Sequence, residues 1–175
     1  MENIDNMISL LGYTLLSDSK ETFEEMAELK AKHLTENDIE YLKNKLHNPP
    51  EVYSEIDKKQ LQLGQWLSVC QYVIFELFYN LHPHSIQTIS AFAFGEYDWT
   101  QATALEVLCR WYVKGKVSVD TISEINTQIG NMRDETHYYL AKSLLIRQKR
   151  DVQFEKVINE LNNELFREIL KELSE

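Results

Sequence analysis

Glycine and proline are scarce in this sequence. Its 175 residues include five glycines and three prolines, too few for the many tight turns of an all-β protein. The glycines are isolated from one another, so the sequence contains no glycine-rich phosphate-binding loop. This composition favours long helices, and the length fits a single helical domain over residues 1–175.

Basic residues are also in the minority. The chain has 18 Lys and Arg residues against 28 Asp and Glu, which gives a net charge of −10. Residues 1–50 contribute −5, residues 51–115 contribute −3 and residues 116–175 contribute −2. A nucleic-acid binder needs clustered cations to neutralise phosphates, so no nucleic-acid partner is predicted. The acidic field attracts basic partners, although it is equally explained by solubility.

The two cysteines exclude a disulfide framework. Cys70 and Cys109 lie far apart in apolar helical patterns and form no CxxC pair, so both are predicted to be buried thiols. The N-terminal residues lack the basic start of a signal peptide. Polar residues, including Glu76, interrupt the apolar stretch 61–81, which argues against a membrane span. These features predict a cytoplasmic protein with no membrane partner.

Helical periodicity and capping residues recur along the whole chain. Thr35 and Asp38 have the spacing of a capping box, and Asp98 is the expected N-cap of a later helix. The one β-like run, residues 116–119, is too short to stand alone. The prediction is therefore an all-α protein with about nine helices. They are expected at residues 4–16, 19–33, 35–48, 58–81, 83–94, 99–113, 120–130, 134–147 and from 151 almost to the C-terminus.

Apolar positions repeat at a spacing of 36 residues in the second half of the chain. Such a period is typical of stacked helix pairs, although an irregular helical bundle could produce a similar pattern. The first helices of the repeat align Ile86, Ile89 and Ala93 with Ile122, Ile125 and Ile129, and then with Ile158, Leu161 and Leu165. The second helices align Asp98, Thr100, Ala104, Leu105 and Leu108 with Asp134, Thr136, Leu140, Ala141 and Leu144.

This pattern resembles HEAT-type repeats over residues 84–165. In that family an aspartate-containing turn precedes a second helix whose small and aliphatic residues pack inward. The resemblance implies a right-handed stack of antiparallel helix pairs, a HEAT-like α-solenoid. The proline kink of the family and its Val-Arg pair after the aspartate are missing from this sequence.

Motifs for catalysis or metal binding are missing. The sequence has no GxSxG elbow, no HExxH motif and no adjacent His-Asp pair. His82 and His84 lack a third ligand at helical spacing, and a helix C-terminus would also account for His82. Glu76 is isolated in an apolar helix, where it is either a carboxylate bonded to a neighbouring helix or an acid-base group. The prediction is a protein that is not an enzyme and holds neither metal nor cofactor.

Aromatic and acidic residues coincide on the turns of the repeat. The segment 96–99, Glu-Tyr-Asp-Trp, lies between two paired helices, and Asp134 and Glu135 occupy the equivalent place one repeat later. Aromatic side chains flanked by carboxylates suit contact with a basic protein, unless Trp99 folds inward. The predicted partner-binding residues are Glu96, Tyr97, Asp98, Trp99, Glu106, Asp134, Glu135 and Tyr138.

Size, acidity and helical pattern together resemble the helical immunity proteins of bacterial contact-dependent growth inhibition systems. That resemblance implies a stoichiometric inhibitor that covers the active site of a cognate basic toxin domain, often a nuclease. The alternative is a helical-repeat adaptor that uses the same edge for another cellular protein, and a helical enzyme is a more distant one. The sequence does not indicate an oligomeric state.

Overall fold

The computed structural model describes residues 3–175, apart from the side chain of Gln60. Within residues 3–175 all regular structure is helical, with ten α-helices and no β-strand, which confirms the all-α prediction. Contacts between Cα atoms divide the chain into two compact units, residues 1–85 and 86–175. That the two units fold cooperatively as one domain stays a prediction.

Unit 1 is built around one central helix. Helix α4 (Gln65–Asn80) packs against α1 (Ile4–Ser17), α2 (Lys20–Ala31) and α3 (Ile39–Lys45). Most of the circumference of α4 is apolar, and the three helices bury that surface. Its core includes Met7, Ile8, Leu11, Phe23, Leu42, Leu46, Val73, Ile74, Phe75, Leu77 and Phe78, all fully buried.

Helix α4 begins seven residues later than predicted. The expected start was Lys58, but residues 58–60 form only a short 3-10 turn and Leu61 is extended. Gly64 then takes the left-handed conformation, with φ of 77°, and occupies the N-cap position. A residue with a side chain adopts that conformation at a cost, so the glycine fixes the helix start.

Side chains of unit 1 hold the loop that follows α3. Trp66 Nε1 donates to the carbonyl of Pro50 at 2.8 Å, and Gln71 Nε2 donates to that of Leu46 at 3.0 Å. Ser9 Oγ donates to the carbonyl of Glu51 at 2.8 Å. These bonds satisfy carbonyl groups that the irregular loop leaves without helical partners.

Unit 2 contains six helices. Its elements are α5 (Ile86–Phe94), α6 (Gln101–Val113), α7 (Val119–Ile129), α8 (Asp134–Gln148), α9 (Phe154–Glu160) and α10 (Glu164–Ser174). Helix α5 packs on α6, α6 packs on α7 and α8, and α8 packs on α9 and α10. This order is consistent with a helical repeat stack.

Side-chain hydrogen bonds join helices of unit 2 that lie about one repeat apart in the sequence. Gln101 bonds Thr136, 35 residues away, and Asn126 bonds Asn162, 36 residues away. Helices α6 and α8 run in the same direction, because Gln101 meets Thr136 near both helix starts and Glu106 meets Arg147 further along each. Of these bonds, Asn126–Asn162 joins positions that are one 36-residue period apart.

The last predicted helix is two helices in the structure. The helix is interrupted between Glu160 and Glu164. There the Asn126 side chain donates to the Glu160 carbonyl and accepts from the backbone amide of Asn162, both at 2.8 Å. Asn163 Oδ1 then caps α10 by accepting from Phe166 N at 3.0 Å. The break depends on a side chain far away in sequence, so local periodicity did not indicate it.

Candidate functional site

The turn between α5 and α6 is held by an aspartate. Asp98 Oδ1 accepts from the backbone amide of Thr100 at 2.9 Å and from its hydroxyl at 2.6 Å. Helix α6 begins at Gln101, so Thr100 is its N-cap residue and the predicted N-cap role of Asp98 is wrong. Asp98 instead fixes the turn two residues earlier, in the manner of an Asx turn.

Trp99 lies on the outside of this turn. Its side chain is 74% exposed, so the alternative that it folds inward is wrong. The ring of half-buried Tyr97 lies 6.3 Å from that of Trp99, with an angle of 57° between their planes. Exposure of so large an apolar surface costs free energy unless a partner covers it.

The turn between α7 and α8 meets the first turn through Arg133. Its guanidinium carbon lies 4.0 Å from the centre of the Tyr97 ring, a cation–π contact. Arg133 occupies the N-cap position of α8, directly before Asp134 and Glu135. The two turns therefore lie along one edge of unit 2, as the repeat spacing predicted.

A cleft of about 230 Å³ opens between these turns. We call it the turn cleft. Its lining consists of Phe94, Gly95, Tyr97, Gln101, Gln128, Asn131, Met132 and Arg133. Three side-chain amides and one guanidinium thus face the same space, which gives it an excess of hydrogen-bond donors.

Exposed carboxylates are sequence neighbours of the residues that line the turn cleft, although they do not line it themselves. Glu96, Asp134 and Glu135 are exposed, and none makes a hydrogen bond or an ion pair with a residue that the structure describes. Asp134 also begins α8, where a negative charge interacts well with the helix dipole. We call residues 96–99 and 133–135 together the turn edge.

Two other predicted site residues lie away from the turn cleft. Glu106 is 5% exposed and accepts from Arg147 Nε at 2.8 Å, so it forms a buried ion pair between α6 and α8 rather than facing a groove. Tyr138 is 40% exposed, and its ring packs edge-on against Tyr139 at 5.3 Å. Neither Glu106 nor Tyr138 lines the cleft.

A buried histidine beside the turn edge was not among the predicted site residues. His137 is 1% exposed, and neither of its ring nitrogens has a hydrogen-bond partner among the described residues. Burial lowers its pKa, and this outweighs the carbonyls of Ile129 and Met132 and the charge of Asp134, which favour protonation. Those carbonyls lie near the ring without hydrogen-bond geometry. The sequence showed only an isolated histidine on a helix.

The structure shows no candidate metal site among the residues that it describes. No set of three His, Cys, Asp or Glu side chains in the described part of the chain could hold a metal ion. Both cysteines are unpaired and buried, and burial raises the pKa of Cys70 to about 12. Glu76, the residue suspected of acid-base chemistry, is buried in α4.

Comparison with known proteins leaves the site to be interpreted from its geometry. No protein-family model matches the sequence, and searches of curated proteins and of solved structures found no match either. Within residues 3–175, no helix combines the length and apolar character needed to cross a membrane.

Proposed function

We propose that this protein binds a basic protein partner through the turn edge. The observation that supports this most is the 74% exposure of Trp99 among carboxylates that have no partner within the described chain. Tryptophan is enriched at the centres of protein interfaces, where it fills a pocket on the partner. The surrounding carboxylates and the net charge of −10 favour a partner of opposite charge.

The more specific proposal is an immunity protein of a contact-dependent growth inhibition system. In this proposal the chain acts in the cytoplasm, needs no cofactor and covers the active site of a cognate toxin, most simply a nuclease. Carboxylates of the turn edge would occupy the cleft in which nucleic-acid phosphates otherwise lie. An adaptor for another cellular protein is the alternative, and it would use the same edge.

Co-expression separates these two functions. The chain should rescue bacteria from the toxin encoded directly upstream of its own gene, and the two proteins should co-purify one to one. Failure to bind any toxin encoded beside it, together with capture of a different protein through Trp99, would favour the adaptor.

Charge reversal tests whether the turn edge is the surface involved. Glu96→Lys combined with Glu135→Lys should slow association by at least tenfold at low salt, because both changes place repulsive charge beside a basic partner. The matched control is Glu168→Lys combined with Glu172→Lys on α10, two exposed carboxylates outside the turn edge. Equal association rates for the edge variant and this control would place binding elsewhere.

A further inference from the structure

We infer that the turn cleft receives one carboxylate side chain, an Asp or Glu of the bound protein. This inference rests on the proposed function, since it supposes a protein partner, but it adds a feature that net charge does not suggest. The partner would present basic residues to the acidic turn edge and a single acidic residue to the cleft between them.

The first support is the state of Arg133. Its guanidinium makes no ion pair with any residue that the structure describes, although the chain carries a large excess of carboxylates. A cation–π contact, with the guanidinium carbon 4.0 Å from the centre of the Tyr97 ring, restrains the group. Its N–H groups can still donate two parallel bonds to a carboxylate.

The second support is Gln101, which lies 4% exposed at the floor of the cleft. Its Oε1 accepts from the Thr136 hydroxyl at 2.9 Å, which fixes the orientation of the amide. The Nε2 group then has no acceptor among the described residues. Because Gln101 lines the cleft, this donor is available to an oxygen atom that enters it.

The size of the cleft decides between a side chain and a free cofactor. Its volume of about 230 Å³ is smaller than the range of about 300–1,000 Å³ that is usual for small-molecule sites. The rim also argues against a phosphate group, because Glu96, Asp134 and Glu135 repel a dianion more strongly than a monoanion. One carboxylate side chain fits the size, and it meets less repulsion from these acidic residues than a phosphate group would.

The test uses the full chain and needs no partner. Nuclear magnetic resonance follows the Arg133 Nε–H and Gln101 amide signals while N-acetyl-glutamate N-methylamide is added at constant ionic strength. The same titration with N-acetyl-glutamine N-methylamide supplies the neutral control. We expect saturable shifts confined to the turn cleft, with the glutamate compound binding about fivefold tighter, because a charged acceptor forms the stronger hydrogen bond.

Variants make the result specific to this cleft. Arg133→Gln should remove the preference for the glutamate compound, whereas Lys149→Gln, which changes the net charge equally at an exposed site, should keep it. Unchanged signals far from the cleft would show that Arg133→Gln still folds. Equal affinity of the wild-type protein for the two compounds, or no saturable shift, would overturn the inference. Since no toxin is used, this failure is distinct from failure of the rescue experiment.

Discussion

The two units use their internal polar side chains differently. In unit 1, Ser9, Trp66 and Gln71 donate to backbone carbonyls of residues 46–51. In unit 2, Asn126 likewise donates to a backbone carbonyl, that of Glu160, but buried side chains also bond to each other across α6 and α8, as in the pair Glu106–Arg147. The first arrangement fixes a loop, whereas the second sets the register of two stacked helices. The turn cleft lies where that register brings two turns together.

Net charge alone favours unit 1 as the binding surface, whereas the proposed surface lies in unit 2. Residues 1–85 carry 14 acidic and 7 basic side chains, while residues 86–175 carry 14 and 11. The turn edge nevertheless belongs to the less acidic unit, because that unit combines exposed Trp99 with carboxylates that have no partner. Local arrangement, rather than total charge, identifies the candidate surface.

The largest expected effect comes from breaking the buried ion pair of unit 2. Arg147→Met should lower the free energy of unfolding by about 3–5 kcal/mol, because Glu106 would remain buried without its cation. Denaturant unfolding measures this loss. If the two units fold as one domain, circular dichroism and tryptophan fluorescence should report a single transition.

Two controls sharpen that comparison. The double variant Glu106→Leu with Arg147→Met should recover most of the lost stability, since neither charge of the pair then stays buried without its partner. In unit 1, Gln71→Leu should lower the free energy of unfolding by only about 1–2 kcal/mol, because it leaves the Leu46 carbonyl without its donor. A loss for Arg147→Met no greater than that for Gln71→Leu would contradict the distinction between the units.

A smaller difference in stability is expected between alanine substitutions at two glycines, Gly12 and Gly130. A Cβ atom on Gly12 would lie 2.7 Å from the Trp66 ring, which is itself hydrogen-bonded, so Gly12→Ala should destabilise by about 1–3 kcal/mol. Gly130 has φ of −63° and its nearest neighbour is 3.5 Å away. Gly130→Ala should therefore be neutral or stabilise by up to about 1 kcal/mol. Similar melting temperatures for the two variants would refute the close packing of α1 on Trp66.

The third prediction concerns pH and His137. Because burial lowers its pKa in the folded state, the unfolded chain binds a proton more readily. Above the unfolded pKa of about 6.5 this histidine makes stability depend little on pH, and stability falls as pH drops through the lower folded pKa. His137→Leu should flatten this acid-side loss and raise stability at pH 7 by about 1 kcal/mol, since it removes unbonded polar atoms. Urea midpoints from pH 5 to 8 measure both effects, and an unchanged pH slope would contradict the assignment.

Local signals in the sequence predicted much of the fold. Gly115 follows the end of α6, Gly130 follows the end of α7, and Asp38 accepts from the Thr35 amide at 2.7 Å as the capping-box spacing predicted. These features depend on residues within one turn of each other. The break at residues 161–163 was missed because Asn126 stabilises it from another helix.

The candidate site was predicted less completely. The repeat spacing placed two turns on one edge, which Arg133 over Tyr97 confirms. The burial of Glu106 could not be predicted, because its partner Arg147 is 41 residues away and no local pattern links them. The environment of His137 was hidden for the same reason, since desolvation depends on packing between helices rather than on sequence neighbours.

The most direct test of the proposed binding surface is the affinity of the Trp99→Ala variant, which should also show the smallest change in stability. Trp99→Ala should change the free energy of unfolding by no more than about 0.5 kcal/mol, because the side chain is 74% exposed. Its affinity for the protein partner, measured by isothermal titration calorimetry, should fall by about 30-fold or more. Leu63→Ala, which removes another exposed apolar side chain from unit 1, should leave affinity unchanged. Full affinity of Trp99→Ala would contradict the proposal that the turn edge is the binding surface.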